Sequence, residues 1–243
     1  MHTRPTCDCF NQYDEPPVSE VHFHPERQDT TCAAWMHLLA LIEQAAEDQR
    51  TEFAPMRDLT GEERRHIVTL PPTIAKLTAV RHLVLYGSFL VRIPPEIGSM
   101  TNLTTFTPYT SHRLHWFPYE ITRCTQLRES TVSTRSLYGN FKFRPPFPKL
   151  TSGRIRMEDD QVTPERWGAD IITTCSICER RLAETGVYQA WISLRVATDV
   201  VPLLVNACSE ACLQQLPSPP AEYIPMPHTG GRDIQQPPAR YHF

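Results

Sequence analysis

The chain reads as an α/β protein: a short solenoid with parallel strands on its concave face, an N-terminal helical cap, and a small C-terminal module of β-hairpin and helix. Three observations predict this. One phrase recurs three times at nearly constant pitch, an amphipathic helical pattern precedes it, and two close cysteine pairs with β-rich sequence between them follow it. The expected order is an irregular arm (1–29), a helical cap and connector (30–66), repeats (67–150), a linker (151–174), the cysteine module (175–216) and a proline-rich tail (217–243).

Composition limits the function classes. With 243 residues and 40% hydrophobic content, the chain can bury one large core or two modest ones. No run of about 18 apolar residues occurs, and Met1-His2-Thr3-Arg4-Pro5 is not followed by an apolar signal region, so a cytoplasmic location is expected. A net charge of −3 with mixed signs provides no basic footprint for nucleic acid or an anionic membrane. The 23 prolines outnumber the 9 glycines and gather in the repeats, as coil corners, and in the tail, as extended chain.

Within the arm, Cys7, Cys9, His22 and His24 are zinc-ligand types, although the Cys-x-Cys and His-x-His spacings fit surface residues and free thiols equally. Over 31–50, Trp35, Leu38, Leu39, Ile42 and Ala46 fall on one helical face, with Asp29, Thr30 or Thr31 as N-cap. A solenoid leaves the core of its first coil open, and this helix is the expected cover. The run Glu62-Glu63-Arg64-Arg65 reads as a solvated helical turn.

The repeated phrases are Leu70-Pro71-Pro72-Thr73-Ile74, Ile93-Pro94-Pro95-Glu96-Ile97 and Phe117-Pro118-Tyr119-Glu120-Ile121, starting 23 and then 24 residues apart. The alignment continues through Leu77, Met100 and Cys124, Val80, Leu103 and Leu127, then Leu83, Phe106 and Ser130. Apolar residues at fixed offsets place one edge of every coil in a common stack. Over about 80 residues this resembles the leucine-rich repeat family in its bacterial and plant-like form. The resemblance implies a bacterial origin, proline-led convex segments, and short concave strands. Ser88, Ser111 and Arg135 stand where the family has its ladder asparagine, and Pro108 removes a backbone donor from the second strand.

Strand alternation sends His82, Val84, Tyr86, Thr105, Thr107, Tyr109, Glu129, Thr131 and Ser133 outward, with His112, Arg113, Trp116 and Arg135 just beyond. Tyrosine, tryptophan and arginine dominate interface energetics, so this set is the expected protein-partner surface. A polar surface that only braces an irregular loop is the competing reading.

Cys175-Ser176-Ile177-Cys178 and Cys208-Ser209-Glu210-Ala211-Cys212 suit tetrahedral zinc, each pair spanning one edge. Val187–Val196 and the segment from Val200 to Val205 read as a hairpin around Ala197-Thr198-Asp199, followed by a short helix stopped by Pro217. Knuckle, hairpin and helix in this order resemble treble-clef zinc fingers. Four ligands from Cys175, Cys178, Cys208 and Cys212 would close the coordination sphere, so the expected zinc is structural and no catalytic residue is assigned. The expectation is a non-enzymatic interaction protein. An enzyme with its site between repeats and zinc module and a zinc-dependent nucleic-acid binder are the alternatives. The tail reads as a packing strap anchored by Tyr223 and Ile224 or as a ligand for a proline-recognising domain.

Overall fold

The computed structural model describes residue 9 and residues 23–156, 164–182 and 186–238. Helix α1 (Ala33–Glu47) buries Ala34, Trp35, Leu38, Ile42 and Ala45 along one stripe. Its N-cap is Cys32, which makes no side-chain cap bond, rather than Asp29, Thr30 or Thr31. The reason is local: the Asp29 carboxylate accepts from the Thr31 N–H (2.8 Å) and hydroxyl (2.6 Å), closing its own turn before the helix begins.

The connector contains an element that the sequence did not reveal. Strand β1 (Glu52–Phe53) precedes α2 (Pro55–Asp58) and α3 (Gly61–His66). It lies parallel to β2 (His82–Val84), pairing Phe53 with Leu83, and so adds a strand ahead of the first repeated phrase. A two-residue strand with one large apolar side chain carries no period, which is why it escaped notice. Helix α3 starts with a capping box between Thr60 and Glu63. The Thr60 N–H and then His37 hold the Glu63 carboxyl down at about 2.

Each proline-led phrase forms a single 3-10 turn, at Pro72–Lys76, Pro95–Ser99 and Tyr119–Arg123, with Ile74, Ile97 and Ile121 buried. A proline at the start of such a turn sacrifices no bond, because its N–H would have no partner there. The chain then enters β2, β3 (Thr105–Thr107) and β5 (Glu129–Ser130) in turn. The sheet order is β1-β2-β3-β5, all parallel. His82, Thr105 and Glu129 share one register row, and Leu83, Phe106 and Ser130 the next, as aligned. Leu85 donates to Thr107 at 2.9 Å, whereas its counterpart one coil on, Pro108, has no N–H to donate. Strand β5 accordingly stops after two residues. Serines bond one coil to the next: the Ser111 hydroxyl lies 2.7 Å from that of Ser88 and donates to Leu85 O at 2.9 Å.

The third coil departs through β4 (Phe117–Pro118), which joins a second sheet of order β4-β8-β7-β6. Here β6 is Arg154–Ile155, the helical turn α4 is Pro164–Trp167, and β7 (Val187–Val196) and β8 (Asp199–Ala207) form the expected hairpin, followed by α5 (Glu210–Leu213). Ser130, at the inward position of the third coil, donates to Asp199 at 2.7 Å, so the hairpin turn covers the end of the parallel sheet. One apolar cluster runs from α1 through Leu83, Phe106 and Ile121 to Val201, Leu203, Cys175 and Cys212. A second, aromatic cluster joins Phe23, Trp116, Tyr138, Phe147 and Trp191. Among the described residues, no helix is long and apolar enough to cross a membrane.

The tail packs on this second cluster. Tyr223 and Ile224 are buried, and His228 exchanges backbone bonds with Trp191 at 2.8 and 3.0 Å. The His228 Nδ1 accepts from Gly230 N–H, so the neutral ring carries its proton on Nε2. Burial pushes this imidazole down to about 4 from 6.5. Between pH 6.5 and 4 the unfolded chain therefore binds a proton that the folded chain refuses, and stability falls as pH is lowered across that window, by up to about 3 kcal/mol. Denaturant melts at pH 7 and pH 4.5 should show a smaller loss in His228→Gln than in the parent; an equal loss would deny His228 the role.

Candidate metal centre

Two backbone turns deliver the four cysteines. Cys175 starts a tight knuckle in which its N–H donates to Arg180 O (2.9 Å), Glu179 N–H donates back to Cys175 O (3.1 Å), and Thr174 bridges Arg181. Cys208 follows the end of β8, and the Ser209 side chain caps α5 by accepting from Cys212 N–H at 3.2 Å. The sulfurs converge. Cys178 and Cys208 are 3.6 Å apart, Cys208 and Cys212 3.5 Å, and all four lie within 4.8 Å of one another. Metal–sulfur bonds of about 2.3 Å at the tetrahedral angle require edges of about 3.8 Å, so the four atoms sit where one small cation would hold them.

The surroundings favour thiolates unequally. The Arg180 backbone N–H brings the Cys178 thiol down to about 7, while burial and the neighbouring sulfurs push Cys208 up to about 12. Cys208 N–H also points at Cys175 Sγ, at 3.4 Å. Four thiols this close cannot all ionise without a cation among them. Arg123 donates to Ser176 O at 3.0 Å and connects the knuckle to the third coil.

The expected partner surface is brought together in part. Tyr86 and Tyr109 are 55% and 46% exposed, with ring centroids 6.1 Å apart. Half-exposed His82 bonds Thr107 at 3.0 Å and faces Glu52 at 3.2 Å; Thr105, Glu129, Thr131 and Ser133 continue the row, and the Ser133 hydroxyl accepts from Thr110 N–H. Arg135 is exposed and stacks over Phe143 at 4.8 Å, while His112 is half-buried. Two members of the set do not belong: Trp116 lies in the aromatic cluster, and Arg113, 4% exposed, is paired with Glu26, whereas Val84, although only 7% exposed, faces the same side as His82 and Tyr86. Arg113 lies within the irregular turn at 108–114 and Trp116 just after it, where strand alternation no longer dictates direction. In their place the sequence reading missed Met56, Arg57 and Arg64, which with His82, Tyr86 and Thr107 line a depression of about 350 Å³ beside the tyrosines. Only the register of β1 exposes that connection.

Of the arm residues, Cys9 and His24 are brought together beside His115. Cys7 and His22 lie outside the described residues. No known protein family matches the chain, and no curated protein matches it.

Proposed function

We propose that the parallel coils are a short leucine-rich-repeat arc that binds a protein partner on its concave face, with a treble-clef-like structural zinc finger closing its far end. The observation that carries this reading is the pair Tyr86 and Tyr109. Two large aromatic side chains stand exposed in the adjacent turns that follow β2 and β3, next to a depression containing two arginines. Buried aromatic and arginine contacts supply most of the free energy in protein interfaces, and monomers rarely leave them side by side in solvent. The 23-residue return of the register from His82 to Thr105, and the serine ladder between the coils, support the repeat assignment. Four sulfurs with a closed coordination sphere support a structural rather than catalytic zinc, one that holds the knuckle against the third coil.

The test uses the folded double variant Tyr86→Ala/Tyr109→Ala. Both side chains are exposed, so its melting temperature should stay within the small range of surface substitutions, about 0.5 kcal/mol each. Affinity capture followed by mass spectrometry should recover a partner with the parent chain and lose it with the variant. Recovery of the same partner by both would move binding away from the concave face.

A further inference from the structure

We infer that the chain holds a second zinc ion, bound by Cys9 Sγ, His24 Nε2 and His115 Nε2, which clamps the N-terminal arm to the turn that precedes β4. The three atoms are pairwise neighbours: Cys9 to His24 at 3.3 Å, Cys9 to His115 at 3.2 Å, and His24 to His115 at 3.4 Å. For a tetrahedral ion with metal–nitrogen bonds of about 2.05 Å and metal–sulfur bonds of about 2.3 Å, the edges would be about 3.3 Å between nitrogens and about 3.6 Å between nitrogen and sulfur. The three ligands come from positions 9, 24 and 115 and from two separate parts of the fold, so chain proximity does not explain their meeting.

The protons on the two imidazoles can be placed so that all three atoms are open to a metal. His115 Nδ1 lies 2.6 Å from Ser136 O, a carbonyl that can only accept, so the proton is on Nδ1 and Nε2 offers a bare lone pair. His24 Nδ1 faces Glu26 Oε2 at 3.6 Å, a buried carboxylate oxygen with no hydrogen-bond partner among the described residues. Arg113 Nη2, which donates to Glu26 Oε1, carries a second N–H and lies 3.4 Å from the same His24 nitrogen, so arginine and carboxylate make opposite demands on it. With the proton on Nδ1, toward the carboxylate, His24 presents a bare Nε2 beside that of His115, the tautomer that a metal would select. The rings are held near-parallel, 15° apart, in this arrangement. In that tautomer two imidazole lone pairs and a thiolate converge on one point, where a divalent cation would be held. A divalent cation satisfies all three atoms at once. One thiolate with two imidazoles is a set that zinc accepts, and a carbonyl and a carboxylate behind the imidazoles are the outer partners that zinc-bound histidines use. The arm is already placed for this: Phe23 stacks on Trp191, and Arg92 donates to Glu26 O at 2.8 Å.

Loading the full chain with cadmium-113 and recording its NMR spectrum separates the two ions, because the shift depends strongly on sulfur count. Two resonances are expected, one from the four-sulfur centre and one far upfield of it. Zinc content of Cys9→Ser and of His24→Gln should each fall by one ion per chain relative to the parent, with the four-sulfur resonance retained. Neither side chain belongs to an apolar cluster, so the fold should survive both changes. A single resonance in the parent, or unchanged zinc content in both variants, would overturn the second site.

Discussion

Cys208→Ser is expected to abolish stoichiometric metal at the four-cysteine centre and to give the largest loss of stability of any single substitution in the chain. Cys208 is the hub: its sulfur neighbours those of Cys178 and Cys212, and its N–H supports Cys175. A zinc ion held by four thiolates, as proposed above, would contribute about 10–16 kcal/mol of binding free energy at neutral pH, and a serine hydroxyl is a poor substitute for thiolate at one vertex. Cys175 and Cys212 belong to the same apolar cluster as Leu83 and Phe106, so the damage should spread into the coils rather than remain in the knuckle. The loss should exceed about 4 kcal/mol, in the range where single changes unfold domains. Elemental analysis of the purified variant and its thermal melt are the measurements. A variant with a full zinc complement and the parental melting temperature would remove Cys208 from the ligand set.

The second large effect is expected from Trp191→Ala, at about 3–5 kcal/mol. Trp191 has no exposed surface. Its ring stacks on Phe23 and meets Trp116, Tyr138 and Phe147 at centroid distances of 5.6 to 6.0 Å. Its indole N–H donates to Pro148 O at 2.9 Å. Truncation would leave a cavity among four aromatic rings and an unsatisfied buried carbonyl. Four segments meet on this ring: the arm, the turn before β4, the residues that close the third coil, and the tail through His228. Urea unfolding should show the midpoint lowered together with faster proteolysis of both arm and tail. A variant that kept the parental midpoint would mean that the aromatic cluster is not what fastens these segments.

The coils were legible because they depend on near neighbours. A proline-led turn, an isoleucine two residues later and a strand leucine or phenylalanine follow one another within a single repeat, and stacking multiplies the same short pattern. The four-cysteine centre was legible for a similar reason: each pair is set by a local turn, and the hairpin between them has a clear β pattern. Strand β1 was not legible, since Phe53 alone has no period. Nor was the inward placement of Arg113 and Trp116, which depends on an irregular turn and on partners at 26 and 191.

From the sequence alone came the repeat pitch, the register of β2, β3 and β5, the capping helix and the identity of the four clustered cysteines. These are properties of spacing, and backbone geometry converts spacing into position within a turn or a strand. Tertiary structure decided the rest: that β4 leaves the coils to pair with β8, that the hairpin turn seals the last coil through Ser130 and Asp199, and that His115 meets Cys9 and His24. Those contacts join residues far apart in the chain. They arise because burying Trp191, Phe117 and Leu203 brings distant segments together, and no local pattern encodes where such segments meet.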